Sequence, residues 1–277
     1  MVETNPFDVL ADETRVKVLR ALADRYREAP EDPFLSFSEL RRRAGVRDSG
    51  NFNYHLGELR SRFVADTDRG YRLTNTGISV VTSLYAGTYD EGDRTGPTKL
   101  DETCPTCGES LEATYSDSVL SIACPNDYEY QNVLPPGALA DRTLAEAVDL
   151  FAVIINEHVE LARAGGCPKC YGRVEWSVAE IPEPTPAYAA ACDRCGIRLT
   201  VPVGGVVARH PEVLSFYARH GIDPRDRPPW TSTLSTGDAV ERISDDPPKF
   251  RVTVEEGDDR LHLTLDESAT VTDVSRS

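Results

Sequence analysis

Seven cysteines carry the most specific chemistry in this 277-residue chain, and all of them lie beyond residue 103. Cys167-Pro168-Lys169-Cys170 and Cys192-Asp193-Arg194-Cys195 are two Cys-x-x-Cys turns separated by 21 residues. Each such turn directs both thiolates to one point, and two turns on adjacent hairpins make a closed tetrahedral site for structural zinc. The competing readings are two reduced thiol pairs, or disulfides, which a reducing compartment disfavours. An earlier copy opens with Cys104-Pro105-Thr106-Cys107 and reaches Cys124 after 16 residues. Where its fourth thiolate should stand the chain reads Cys124-Pro125-Asn126-Asp127, which puts Asp127 in register to be an oxygen ligand. Asp is a legitimate but minority ligand in structural zinc sites; the alternative is a ribbon that has lost its metal and kept its fold. The repeated Cys-Pro-x-Cys openings point to a duplicated zinc ribbon, each copy with two or three short strands such as 111–116 and 119–123.

A second set of residues suits recognition of nucleic acid. Asn51 and Asn53 have the amide geometry for bidentate bonding to adenine, and Tyr54 and His55 can reach a phosphate or a base edge. Ser49 opens the same segment, while Arg60 and Arg62 close it where they would clamp the backbone. Arg69 and Arg72 follow, placed to enter a minor groove. An exposed polar helix face that is merely solvated is the plainer reading of the same residues.

The elements that would position these groups are readable from periodicity. A first helix runs over 12–25, capped by Asp12, with Val16, Leu19 and Leu22 at helical spacing. Ser36-Phe37-Ser38-Glu39 is a capping box that opens a short second helix ending near Gly45. Asp48 or Ser49 caps a third helix whose Phe52, Leu56, Leu59 and Phe63 form one buried face, leaving Asn51, Asn53, Tyr54, His55 and Glu58 largely outside. Two short helices about a glycine turn match a helix-turn-helix. Residues 63–73 form a hairpin around a turn at 66–70, a wing with Arg69 and Arg72 near its tip, and a further helix covers 75–86.

The segments Leu10-Ala11-Asp12-Glu13-Thr14-Arg15, Asn53-Tyr54-His55-Leu56 and Leu73-Thr74-Asn75-Thr76-Gly77 resemble the ArsR-like winged helix-turn-helix transcriptional regulators. More narrowly, the chain is similar to a haloarchaeal subgroup that appends a cysteine-containing, zinc-ribbon-type C-terminal domain. The resemblance implies a dimer that reads a two-fold operator in double-stranded DNA, with the third helix in the major groove. Metal-sensing members carry paired cysteines within the helix-turn-helix; here no cysteine precedes Cys104, so that sensing site is absent.

The expected organisation is α+β: a winged helix-turn-helix over 1–89, a linker over 90–100 rich in charge, Gly and Thr, and a zinc-ribbon-type domain over 101–277. Between the ribbons Thr143-Leu144-Ala145-Glu146 caps the longest helix, striped by Leu144, Val148, Phe151, Ile155 and Val159; that stripe packs on its own ribbons or on a partner subunit. His158 on this helix, like His210, His220 and His262, reads as a surface or core histidine rather than a ligand. A short helix spans 210–220, and strands over 250–254, 261–265 and 270–274 alternate in polarity as antiparallel strands do. This half has room for a small-molecule effector that no residue pattern identifies.

The net charge of −16 is unevenly spread. Residues 1–89 hold 13 basic and 13 acidic residues, and 36–72 hold 8 basic against 5 acidic, a basic island where a polyanion would dock. Only four of the basic residues are Lys, which together with the excess acid fits a protein adapted to high internal salt. At molar salt the Debye length is about 3 Å, so binding there would rest on close base contacts and two half-sites. No apolar run approaches the ~20 residues of a membrane span and no signal peptide is visible, so a cytoplasmic location is expected. Without a phosphate-cradling glycine loop or a nucleophile–His arrangement, an enzyme is the class least supported. The expected function is sequence-specific transcriptional regulation; the alternative is a protein-interaction module that docks on transcription machinery without reading DNA sequence.

Overall fold

A computed structural model describes residues 5–126, 128–179, 185–224 and 227–277. The chain mixes helices with antiparallel sheets and divides into two compact units, Met1–Glu91 with Pro135–Gly137, and Gly92–Leu134 with Ala138–Ser277.

The first unit is helical with one hairpin. A short helix α1 (Pro6–Leu10), absent from the sequence-based reading, precedes α2 (Glu13–Glu28). Asp12 caps α2 by accepting from the Thr14 and Arg15 N–H groups at 2.8 and 3.1 Å. Ser36 caps α3 (Phe37–Arg43) through the Glu39 N–H, but the reciprocal half of the expected box is missing: the Glu39 carboxylate turns to Arg42 and Arg43 instead. Gly45, at φ +71°, makes the turn toward α4 (Ser49–Leu59), a backbone state that a side chain would strain. Asp48 caps α4. The hairpin is tighter than expected: β1 (Val64–Thr67) pairs with β2 (Gly70–Leu73) around only Asp68 and Arg69, and the Thr67 hydroxyl donates to the Gly70 carbonyl at 2.8 Å. Helix α5 (Asn75–Tyr85) closes the unit around a core of Val18, Leu19, Leu22, Leu40, Phe52, Leu56, Leu59 and Phe63.

The second unit is built from three antiparallel sheets around one helix. Strands β3 (Thr95–Thr103), β4 (Ser110–Ser116), β5 (Val119–Ala123) and β6 (Glu129–Val133) form the first sheet in sequence order. Residues 95–100 were expected to be linker; they are instead part of the edge strand β3. An edge strand faces water along most of its length, so its Gly-Pro-Thr composition carries no strand signature. Helix α6 (Leu144–Arg163) has the complete Thr143/Glu146 capping box, and its stripe of Leu144, Val148, Phe151 and Ile155 packs on the first sheet. Then come β7 (Val174–Val178), β8 (Ala187–Cys192) and β9 (Arg198–Pro202), two short helices α7 (Val203–Val207) and α8 (Pro211–Arg219), and a four-stranded meander. The meander comprises β10 (Val240–Asp245), β11 (Pro248–Glu256), β12 (Asp259–Leu265) and β13 (Val271–Arg276). Its three later strands were expected; β10, a mostly exposed edge, was not. Among the described residues no helix is long and apolar enough to cross a membrane.

Candidate metal centres and polar recognition face

The four cysteines of the later pair converge. Cys167 and Cys170 lie on the turn between α6 and β7, and Cys192 and Cys195 on the turn between β8 and β9. Their sulfurs all lie within 4.8 Å of one another, with Cys170–Cys192 at 3.5 Å and Cys167–Cys195 at 3.7 Å. A disulfide bond is only about 2 Å long, so these are free thiols. An ion held by four sulfurs at about 2.3 Å has sulfur–sulfur edges of about 3.8 Å, close to what is seen. The turns are shaped for it. Cys167 and Cys192 each donate their N–H to a carbonyl five residues on, Gly172 and Ile197, and the residues after the second cysteine, Tyr171 and Gly196, sit at positive φ. The Lys169 N–H points at the Cys167 sulfur from 3.4 Å. A Cβ at Gly172 would come within 3.2 Å of both Cys170 and Cys192 sulfurs, so the loop closes on the cluster only because that residue has no side chain.

Electrostatics point the same way. The Cys170 and Lys169 N–H groups hold the Cys167 thiol down at about 6, and the Cys195 N–H helps lower Cys192. Cys195, although it has the Ile197 N–H, is pushed up to about 12, chiefly by the Cys170 thiol with burial and the other two sulfurs adding. With two of the thiols lowered and one raised, the four sulfurs cannot all ionise together without a cation between them. The four-cysteine arrangement can hold a metal ion.

The earlier cluster gathers three cysteines. Cys104 and Cys107 lie between β3 and β4 and Cys124 follows β5, all at one end of the first sheet. Their sulfurs also fall within 4.8 Å of one another, with Cys107–Cys124 at 3.8 Å. Burial pushes Cys104 up, but the Thr106 and Cys107 N–H groups outweigh it and the thiol is lowered; burial and its neighbours raise Cys124. Asp127, the expected fourth ligand, lies outside the described residues.

The polar set of the first unit is distributed unevenly. Ser49, Asn51, Asn53 and Tyr54 are exposed on α4, while Phe52, Leu56 and Leu59 anchor its other side. His55 corrects the expectation: it is buried, with its Nδ1 3.3 Å from the Asp12 carboxylate and its ring edge-on to Tyr54. Position 55 follows Phe52 by three and precedes Leu59 by four, so it belongs to the apolar stripe. Burial works against the Asp12 carboxylate, yet the Arg15 and Thr14 N–H groups and His55 together keep it below the usual range. Arg15, which sequence reasoning passed over, ties the same corner: it donates to the Val9 carbonyl at 3.0 Å, sits 3.7 Å from Glu58 and lies over the Tyr54 ring. The run Leu10–Arg15 therefore works as a brace for α4. An Arg inside an otherwise apolar helix stripe was the available signal.

The arginines expected to meet phosphate are partly engaged. Arg60, just after α4, pairs with Asp66 and lies over Tyr71. Arg69 occupies the hairpin tip, bonded to Asp32 at 2.8 Å and stacked 4.2 Å from the Phe34 ring centroid. Arg72 is exposed on β2, reaching the Leu73 carbonyl, and Arg62 is half-buried. Two exposed arginines that were not singled out, Arg42 at the end of α3 and Arg47 in the turn before α4, extend the basic surface; the Arg41–Arg43 run was the signal for them.

No curated protein and no solved structure matches this chain. Residues 3–84 match the family model described as "Domain of unknown function (DUF7347)". A second model matches residues 101–271, more than half of the sequence, and the chain thus belongs to the family described as "Domain of unknown function (DUF7351)".

Proposed function

We propose that this protein is a sequence-specific DNA-binding regulator of transcription, a winged helix-turn-helix joined to an α+β unit clamped by structural zinc at Cys167, Cys170, Cys192 and Cys195. One observation carries the reading. Helix α4 follows a glycine turn after α3, is locked from behind by Phe52, His55, Leu56 and Leu59, and turns a side-chain set of Ser49, Asn51, Asn53 and Tyr54 to solvent. A rigid helix with an amide-rich outer face, charged only at Glu58, fits major-groove readout, where Asn pairs in bidentate fashion with adenine. The hairpin carrying Arg69 and Arg72 supports the reading, as the wing that the resemblance to ArsR-like regulators implies. A homodimer is the expected form: α1, α2 and α5 line an apolar groove with Leu10, Val16, Val80 and Leu84, beside Phe7 and Tyr89, which are 66% and 68% exposed.

A second reading is favoured by the pairing of Arg60 and Arg69 with Asp66 and Asp32. Carboxylates at those arginines weaken attraction to phosphate, which suits a module that docks on a protein of the transcription machinery.

Selection of genomic DNA fragments by the purified protein in high-potassium buffer decides between them, with an Asn51→Ala/Asn53→Ala variant alongside. Enrichment of a near-palindromic motif by the parent and its loss in the variant are expected. Equal recovery of all fragments by both would overturn the DNA reading and favour the docking module.

A further inference from the structure

We infer that Cys104, Cys107 and Cys124 form a second metal site of a different kind: a thiophilic divalent ion held on three thiolates, with a non-cysteine fourth ligand, that exchanges more readily than the ion of the four-cysteine centre. The backbone argues that the site is built. Cys104 donates its N–H to Glu109 at 2.8 Å and accepts from Gly108 at 2.9 Å, just as Cys167 bonds Gly172 at 2.8 Å and accepts from Tyr171 at 3.0 Å. The Asn126 N–H faces the Cys124 sulfur from 3.4 Å, matching Lys169 at Cys167. The Cys107–Cys124 separation of 3.8 Å is the edge of a tetrahedron with bonds of about 2.3 Å.

The difference lies in the opposite turn. There the Cys192 N–H closes on Ile197, five residues on, whereas the Cys124 N–H closes on Tyr128 after only four. The contracted turn has no second cysteine, and the sequence offers no further thiol before Cys167. The fourth vertex must therefore be a donor other than a thiol, for which the Asp127 carboxylate in the sequence and water are the first candidates. Three thiolates leave a divalent ion with less negative charge around it than four, and an oxygen donor is a weaker partner for a thiophilic ion. Of the three cysteines only Cys104 is buried, and Cys107 is exposed, so an incoming ligand can reach the ion. In the four-cysteine centre one ligand, Cys195, is also exposed, but every vertex is sulfur and two of the ligands, Cys167 and Cys192, are buried. Occupancy of the three-cysteine site should thus follow the supply of thiophilic metal while the other stays filled.

The test uses the full chain loaded with Co²⁺. Two ions per chain are expected, one for each cluster, released to a chelator in a fast and a slow phase. Cys107→Ser and Cys124→Ser should each bind one ion, lose the fast phase and keep the slow one, and the retained slow phase reports that the variant has folded. The charge-transfer absorbance that each variant loses should be smaller than the part it keeps, because three sulfurs contribute against four. Asp127→Ala shifting the ligand-field bands of the fast-releasing ion would identify the carboxylate as the fourth ligand; unshifted bands would assign that vertex to another non-cysteine donor, as the three-thiolate site requires. A single ion per chain in the parent, or a single release phase that neither Ser variant alters, would overturn the proposal.

Discussion

Asn53 and His55 stand two positions apart on α4 and face opposite ways, so their alanine variants should fail differently. Asn53→Ala removes an exposed amide and should leave the denaturation midpoint within about 0.5 kcal/mol of the parent. Its cost should fall on operator affinity, about 1–3 kcal/mol if the amide reads an adenine, measured by titration against the selected motif. His55→Ala empties a packed position and strips Asp12 of its partner, a loss of about 1–3 kcal/mol in stability by urea unfolding. His158 is a different case. Burial, with Lys169 adding, depresses its pKa to about 4. The unfolded imidazole titrates near 6.5, so the stability tied to its neutral form is whole above that pH and drains away as the pH falls toward 4. His158→Gln should flatten this part of the pH–stability curve relative to the parent. At this scale the gathering of the cysteines into two clusters was legible, because Cys-x-x-Cys spacing is a local property of the chain. His55 was not: a polar side chain in an apolar stripe reads as outward-facing until its partner, Asp12, 43 positions earlier, is placed beside it.

Among the elements, the turn between α6 and β7 makes the sharpest demand. Gly172→Ala would bring a methyl within 2.9 Å of the Arg194 Cβ and within 3.2 Å of two ligand sulfurs. Metal affinity of the four-cysteine centre should therefore fall, visible as earlier loss of the slowly released ion to a chelator. Gly57→Ala should do the reverse for stability. The position lies in the last turn of α4, on its exposed side, with nothing near its would-be Cβ, so alanine should stabilise the fold by about 0.4–1 kcal/mol. If α4 lies in a groove of DNA, the same methyl should weaken binding, and a variant that is both stabler and a poorer binder would be hard to explain otherwise. Helices with caps and apolar stripes, α2 and α6 above all, were readable from sequence because each signal lies within a few turns. The edge strands β3 and β10 were not, since an edge is defined by what it pairs with and both of its faces can be polar.

Over the whole chain, the acidic excess and the cysteine clusters that can hold metal belong to the second unit and the basic island to the first. Chelation should therefore lower the melting temperature of the second unit's transition and leave that of the first nearly unchanged, seen as a split endotherm by calorimetry. The apolar groove of α1, α2 and α5 gives another test. If the proposed dimer forms there, Phe7→Asp/Val80→Glu should shift sedimentation from dimer to monomer and cut operator affinity, because a monomer would span one half-site. The division of the chain into two parts was foreseeable from charge and cysteine placement; the four-stranded meander was legible only in three of its strands.

Helix α6 is about 30 Å long, and its side chains enter three separate cores in turn. Leu144 to Ile155 join the first sheet, Val159 the meander, and Ala162 the cysteine-bearing sheet. No one of these cores can come apart and leave the helix properly covered. In hydrogen-exchange terms its central amides have no local route to solvent: they should share one opening free energy, equal to that of the entire second unit, and be the last in that unit to take up deuterium.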